Sequence, residues 1–256
     1  MITKLKRVYR KITQKSRLEE YRQILTAAIG QGYRVMTLRE WVELGFPRDK
    51  IFLLRHDVDI DARGAGRMYE IEKELHVRAT YYFRHITMRP ALMKRMLSDG
   101  FEVGLHYETL ATFIRESRLE TKEQLSEDIY TICRTRLTRE IACFREEIGE
   151  MQSICSHGSK WNRKLDVSNC LLADEKFREE NGILFETYDP ELLDNISTYI
   201  SDSSLNHNHA WRYGKSPLQA IENGDAVILL LTHPGHWNYD FCSNIRKLWL
   251  SFVDPN

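Results

Sequence analysis

Seven short apolar runs in this chain each break off into histidine, a carboxylate or arginine. They are LLRHDVD (53–59), YYFRH (81–85), VGLHYE (103–108), ACFREE (142–147), SICSHG (153–158), TYISDS (198–203) and ILLLTHPGHW (228–237). Each run is strand-sized, and a charge beside a core is costly unless something compensates it. One histidine after a strand is ordinarily a loop residue. Seven such ends constrain the fold, because α/β sheets gather their ligand groups at the carboxyl ends of strands.

Helical segments alternate with these runs. LEEYRQILTAAIG (18–30), ARGAGRMYEIEKEL (62–75) and RPALMKRMLSDG (89–100) carry helical spacing. Asp61 is placed to cap the second of them. Thr121 and Gln124 form a capping box ahead of TKEQLSEDIYTICRTRL (121–137), and Ser216, Pro217 and Gln219 announce a helix in SPLQAIENG (216–224). YRVMTLREWVELG (33–45) holds a short strand and a helix. Alternation of this kind predicts an α/β fold with a mostly parallel sheet of about seven or eight strands. A closed barrel and a doubly wound open sheet both satisfy that count.

No linker or low-complexity stretch divides the 256 residues. The expectation is a single domain over 1–256, with an N-terminal helical extension (1–48), a core (49–240) and a C-terminal helix (241–256). Formal net charge is zero, which gives no global signal for nucleic acid. Five scattered cysteines without a C-x-x-C pair favour a reducing compartment. The basic start, MITKLKRVYRKITQKSR, has no apolar h-region and reads as a solvated helix start, with an anionic membrane surface as the alternative partner. The longest apolar run, AVILLL (226–231), is too short to span a membrane. A cytoplasmic protein without a transmembrane segment is expected, its oligomeric state unspecified.

The polar strand ends suggest the chemistry. A carboxylate with histidines suits a borderline divalent metal such as zinc, whereas calcium or magnesium would ask for more oxygens. Asp57 and Asp59 point the same way along a strand, so one can bind metal while the other activates water. His56 is placed either to bond a carboxylate or to sit in the core on a backbone partner. Tyr81, Tyr82 and Phe83 read as core. Trp211 and Trp237, both in polar loops, are candidate sugar platforms or ordinary packing. SLNHNHAWRYG (204–214) reads as a lid or substrate loop, and its His207 and His209 are kept out of the main site.

These motifs resemble the polysaccharide deacetylase (NodB-homology, carbohydrate esterase) superfamily, in matching order over roughly residues 50–240. RHDVD resembles the first motif, which implies Asp57 as general base and Asp59 as metal ligand. GLHYE resembles the metal-binding histidine motif and implies His106. FREEIG resembles the motif whose arginine lines the groove, so Arg145 would orient the catalytic carboxylate. The stretch from STYISDSS to Trp211, with Asp202, resembles the Asp-and-Trp motif. LLTHP resembles the last motif, with Leu231 lining the acyl pocket and His233 as general acid. The resemblance implies a distorted (β/α) barrel of about seven strands.

Two departures stand out. The second motif carries two histidines four apart, but the residue four after His106 is Leu110. His157 is the best replacement ligand and Glu108 the alternative. The arginine motif lacks its proline. Arg84, Trp211, Leu231 and Trp237 are the expected substrate contacts, and His56, Glu108 and Asp202 the supporting or alternative ligands.

The expected function is a zinc-dependent hydrolase removing an N-acyl, chiefly N-acetyl, group from an amino sugar or a sugar-containing biosynthetic intermediate. Two other readings stay open: a magnesium-dependent phosphotransferase built on Asp-x-Asp, and an inactive carbohydrate-binding homologue.

Overall fold

The computed structural model describes residues 14–205 and 210–240, together with Asn244, Ile245 and Trp249. The basic start up to position 13, His207 and His209, and most of the expected C-terminal helix (241–256) lie outside the described residues. The chain forms two compact units. The first takes in the described residues up to Tyr81, Gly100–Glu102 and those from Asn195 onward; the second takes in Tyr82–Asp99 and Val103–Asp194.

In the first unit the strands are β1 (Arg34–Met36), β2 (Ile51–Val58), β7 (Thr198–Ser201) and β8 (Val227–Thr232). β2 pairs in parallel with β1 and with β8, and β8 pairs in parallel with β7. Every residue of β2 and of β8 is buried. That explains their near-continuous apolar sequences, because a parallel strand is covered on both faces. The helices are α1 (Leu18–Gly30), α2 (Leu38–Glu43), α3 (Ala62–Glu74) and α10 (Pro217–Glu222). Asp61 caps α3 through Gly64 N–H, as its position predicts. The capping box of Ser216 and Gln219 opens α10. Within the expected N-terminal extension, β1 joins the sheet by pairing with β2.

The second unit holds β5 (Ser153–Ser156), β6 (Phe185–Glu186) and all of β4 (Glu102–Tyr107) past its first residue. β4 pairs in parallel with β5, and β5 with β6. Its helices are α4 (Pro90–Ser98), α5 (Thr109–Ser117), α6 (Glu127–Glu147), α7 (Lys160–Leu165), α8 (Glu175–Glu180) and α9 (Pro190–Asp194). Gly104 has a local reason: a Cβ there would lie 2.6 Å from the Tyr82 ring and 2.7 Å from the Ser153 carbonyl. Only glycine lets Tyr82 cross β4 two residues before His106. β3 (Thr80–Phe83) completes the set; in the first unit β1 and β8 both pair with β2 and β7 follows β8, and in the second the order is β4-β5-β6. The fold class is α/β, parallel strands flanked by helices.

One strand expectation is corrected. IACFRE is not a strand but the last turns of α6. Cys133, Leu137, Ile141 and Phe144 are the buried residues of that helix, at spacings of four, four and three. This is the helical period, and it carries the 121–137 segment on through Arg145. The Thr121–Gln124 box heads a single 3-10 turn, and α6 starts after Ser126.

Candidate active site

On the β2–β8–β7 side, Asp57 and Arg55 share one face of β2. The Arg55 guanidinium donates from Nε to Asp57 Oδ1 and from Nη2 to Oδ2, both at 2.9 Å. Both side chains are buried. Register places Arg55 beside Leu231, which is buried at the end of β8. His56, on the opposite face, reaches Thr232 Oγ1 at 2.6 Å through Nδ1 and Glu72 Oε1 at 2.9 Å through Nε2. Tyr21 and Tyr81 also donate to Glu72. Burial, and then the Glu72 charge, push both phenols well above their usual range. Of the two placements open to His56, the carboxylate partner is the one found.

β7 delivers Asp202, fully buried. Its Oδ1 lies 2.6 Å from His233 Nδ1, and its Oδ2 accepts the His233 backbone N–H and the Trp237 indole N–H, each at 2.8 Å. His236 Nδ1 stands 3.3 Å from the same Oδ2. Burial opposes the Asp202 charge, but His236 and His233 outweigh it and hold the carboxyl well below the usual carboxylate range. Burial likewise opposes a charged His233, yet Asp202, Asp59 and Asp57 lift it to about 9. His233 Nε2 is 3.8 Å from Asp59 Oδ2.

On the β4–β5 side, His106 and His157 stand with ring centroids 5.1 Å apart. His106 Nδ1 is 2.9 Å from the Cys155 carbonyl, and His157 Nδ1 is 3.1 Å from Glu108 Oε2. A carbonyl or carboxylate on one ring nitrogen fixes the tautomer and turns the other nitrogen outward, which is how metal-ligating histidines are held. Arg84 donates to Glu108 Oε1 at 2.7 Å. Burial would raise the Glu108 pKa; the His157 bond and the Arg84 charge overcome it and set it at about 2. Leu110 belongs to the first turn of α5, buried, so position 110 is in a helix rather than at the strand end.

Within the first unit, Asp202, His233 and His236 bring ligand-type atoms within 4.8 Å of one another. Two imidazoles and a carboxylate are a donor composition consistent with one divalent ion.

Other expectations change. Arg145 lies on α6 and directs its donors to the carbonyls of Met151, Asn181 and Gly182; the guanidinium on Asp57 is that of Arg55. Trp237 is no open platform. It is fully buried, with its indole on Asp202 and its ring against Tyr21, Trp211 and the Arg17 guanidinium. Trp211 remains half-buried, tilted on Trp237 at 5.8 Å. Arg84, buried, serves Glu108. Sequence reasoning overlooked Arg55 and Glu72. Arg55 had a readable signal, since residues two apart share a strand face; Glu72 sits in a helix with nothing to mark it.

No protein-family model matches the chain, and no curated protein matches it. Among solved structures, BA3943, a CE4 family pseudoenzyme from Bacillus anthracis, aligns with a TM-score of 0.45 at 14% identity, covering 81% of this chain and 63% of that one. A BA3943 mutant with restored enzymatic activity gives the same score and identity over 81% and 64%. The peptidoglycan deacetylase PdaC from Bacillus subtilis aligns at 0.42 and 13% identity, over 81% and 85%. The chain thus spans less than two thirds of the length of the BA3943 chains. No helix among the described residues is long and apolar enough to cross a membrane.

Proposed function

We propose that this chain is a metal-dependent hydrolase that removes an N-acyl group, acetyl first of all, from an amino sugar or a sugar-containing intermediate inside the cell. The observation that carries this reading is the Asp202–His233 pair set 3.8 Å from Asp59. A protonated imidazole held beside carboxylates is what an acid–base hydrolysis requires. The tethered Nδ1 atoms of His106 and His157 support a metal role for those rings. Asp59, His106 and His157 would hold the ion, and two imidazoles with one carboxylate are a zinc-type donor set. Bound there, the ion supplies Lewis-acid polarisation of the acyl carbonyl.

The chain's own groups do the rest. Asp57 accepts a proton from the water that attacks the carbonyl carbon. His233 gives its Nε2 proton to the amide nitrogen as the carbon–nitrogen bond breaks. A carboxylate and a free amine leave. Asp202 holds the His233 ring by Nδ1, so that Nε2 is the donor. Leu231, at the strand end beside Arg55, would border the acyl methyl.

The test is a panel of N-acetyl sugars, free, nucleotide-linked and lipid-linked, incubated with protein stripped of metal and then given zinc. Equal release of acetate and free amine, lost with chelator and regained with zinc, is the expected result. Phosphate release with magnesium and no deacetylation would move the chain to the phosphotransferase reading. Sugar binding without metal or hydrolysis would make it a binding protein.

A further inference from the structure

Given Asp57 as the proton acceptor proposed above, we infer that Arg55 is its positioning residue, supplied from the same strand. The two residues sit at i and i+2 of β2, on one face, and both are buried. The guanidinium fork matches the carboxylate at 2.9 Å on each arm. A bidentate pair fixes distance and also the plane of the carboxylate, which a point charge does not. β2 is fixed by parallel partners, β1 and β8, so the backbone that carries both residues is held in place. Leaving either charge buried without the other is costly. Arg145, the arginine implied by the motif order, is spent on three backbone carbonyls. The orientation of the base is thus built into one strand.

The experiment compares wild type, Asp57→Asn, Arg55→Lys and Arg55→Met, each loaded with zinc and checked for folding by circular dichroism. Wild-type turnover of an N-acetyl sugar, abolished in Asp57→Asn, establishes the hydrolase reading by itself. Arg55→Met should then lower kcat by about 100-fold, the scale of a misplaced reacting group. KM should stay within about twofold and zinc stoichiometry should not change. Arg55→Lys keeps the charge without the fork and should fall in between, at about tenfold. In Arg55→Ala, which vacates the side chain's volume, millimolar guanidinium should restore part of the rate, which a merely structural loss would not allow. If Arg55→Met fails to fold, Arg55→Lys decides alone. A kcat within about threefold of wild type in either folded variant, while Asp57→Asn is dead, overturns the role of Arg55 and leaves the hydrolase reading standing. Absence of deacetylation in the zinc-loaded wild type overturns both.

Discussion

Asp202 Oδ1 lies 2.6 Å from His233 Nδ1, while Asp202 Oδ2 takes the backbone N–H of the same histidine at 2.8 Å. One carboxylate therefore grips both the ring and the main chain of the proposed proton donor. Its depressed pKa gives a pH signature in the metal-free protein. The folded value is below the unfolded one, so the contribution is fully present above about pH 4 and is lost as pH falls toward the folded value. Asp202→Asn should lose about 3 kcal/mol at pH 7, the scale of breaking a buried pair. Below pH 4 the gap to wild type should close by about 1.4 kcal/mol per pH unit. Urea unfolding at pH 7, 4 and 3 measures it. A gap that is constant with pH would mean that Asp202 acts by shape and not by charge.

The Arg84–Glu108–His157 chain predicts a graded metal defect. His157→Ala and His106→Ala should each abolish tight zinc binding, as should Asp59→Ala. Glu108→Ala should weaken zinc by about 10–100-fold, the usual cost of removing a carboxylate behind a ligating histidine. The sequence offers Glu108 as an alternative ligand to His157; the 3.1 Å bond between them makes it a support for that ring instead. Calorimetric titration with zinc separates the two classes. Wild-type affinity in His157→Ala would remove His157 from the ligand set.

Strand ends were legible because buried parallel strands are largely apolar and polar groups enter in their last residues. LLRHDVD, VGLHYE and ILLLTHP mark β2, β4 and β8 well. ACFREE looked the same and is helical, because an apolar run of three residues fits either period and only the longer spacing from Cys133 decides. Of the two readings open to Trp237, packing is the one found. A polar loop suggests exposure, but its indole is folded back on Asp202, a contact between residues 35 apart that no local pattern reveals.

That helix can be checked through its thiols. Cys133 lies on the buried stripe of α6, and burial pushes its thiol up to about 11, whereas Cys143 is exposed. Thiolate is the reactive form, so Cys143 should alkylate at least about tenfold faster in the native protein. Cys155, buried in β5, should react only on unfolding. Iodoacetamide labelling mapped by mass spectrometry reads each site. Equal rates at Cys133 and Cys143 would contradict the helix register.

The assignment of base and acid makes the last prediction. Asp57→Asn should keep its zinc yet lose at least about 100-fold in turnover, the low end for a positioned acid–base group. The Arg55 fork would still find an oxygen on asparagine, although one arm would meet an amide N–H, so folding should survive at some cost in stability. His233→Ala should fall in the same class on an N-acetyl sugar. On an activated acyl ester, whose leaving group needs little protonation, its defect should shrink while that of Asp57→Asn stays. The histidine acts at bond cleavage and the aspartate at attack, so a change of leaving group divides them. Steady-state kinetics on both substrates supplies the comparison. An equally deep His233→Ala defect on amide and ester would make His233 an orienting group and not the proton donor. Near-wild-type amide hydrolysis in Asp57→Asn would remove Asp57 as the base.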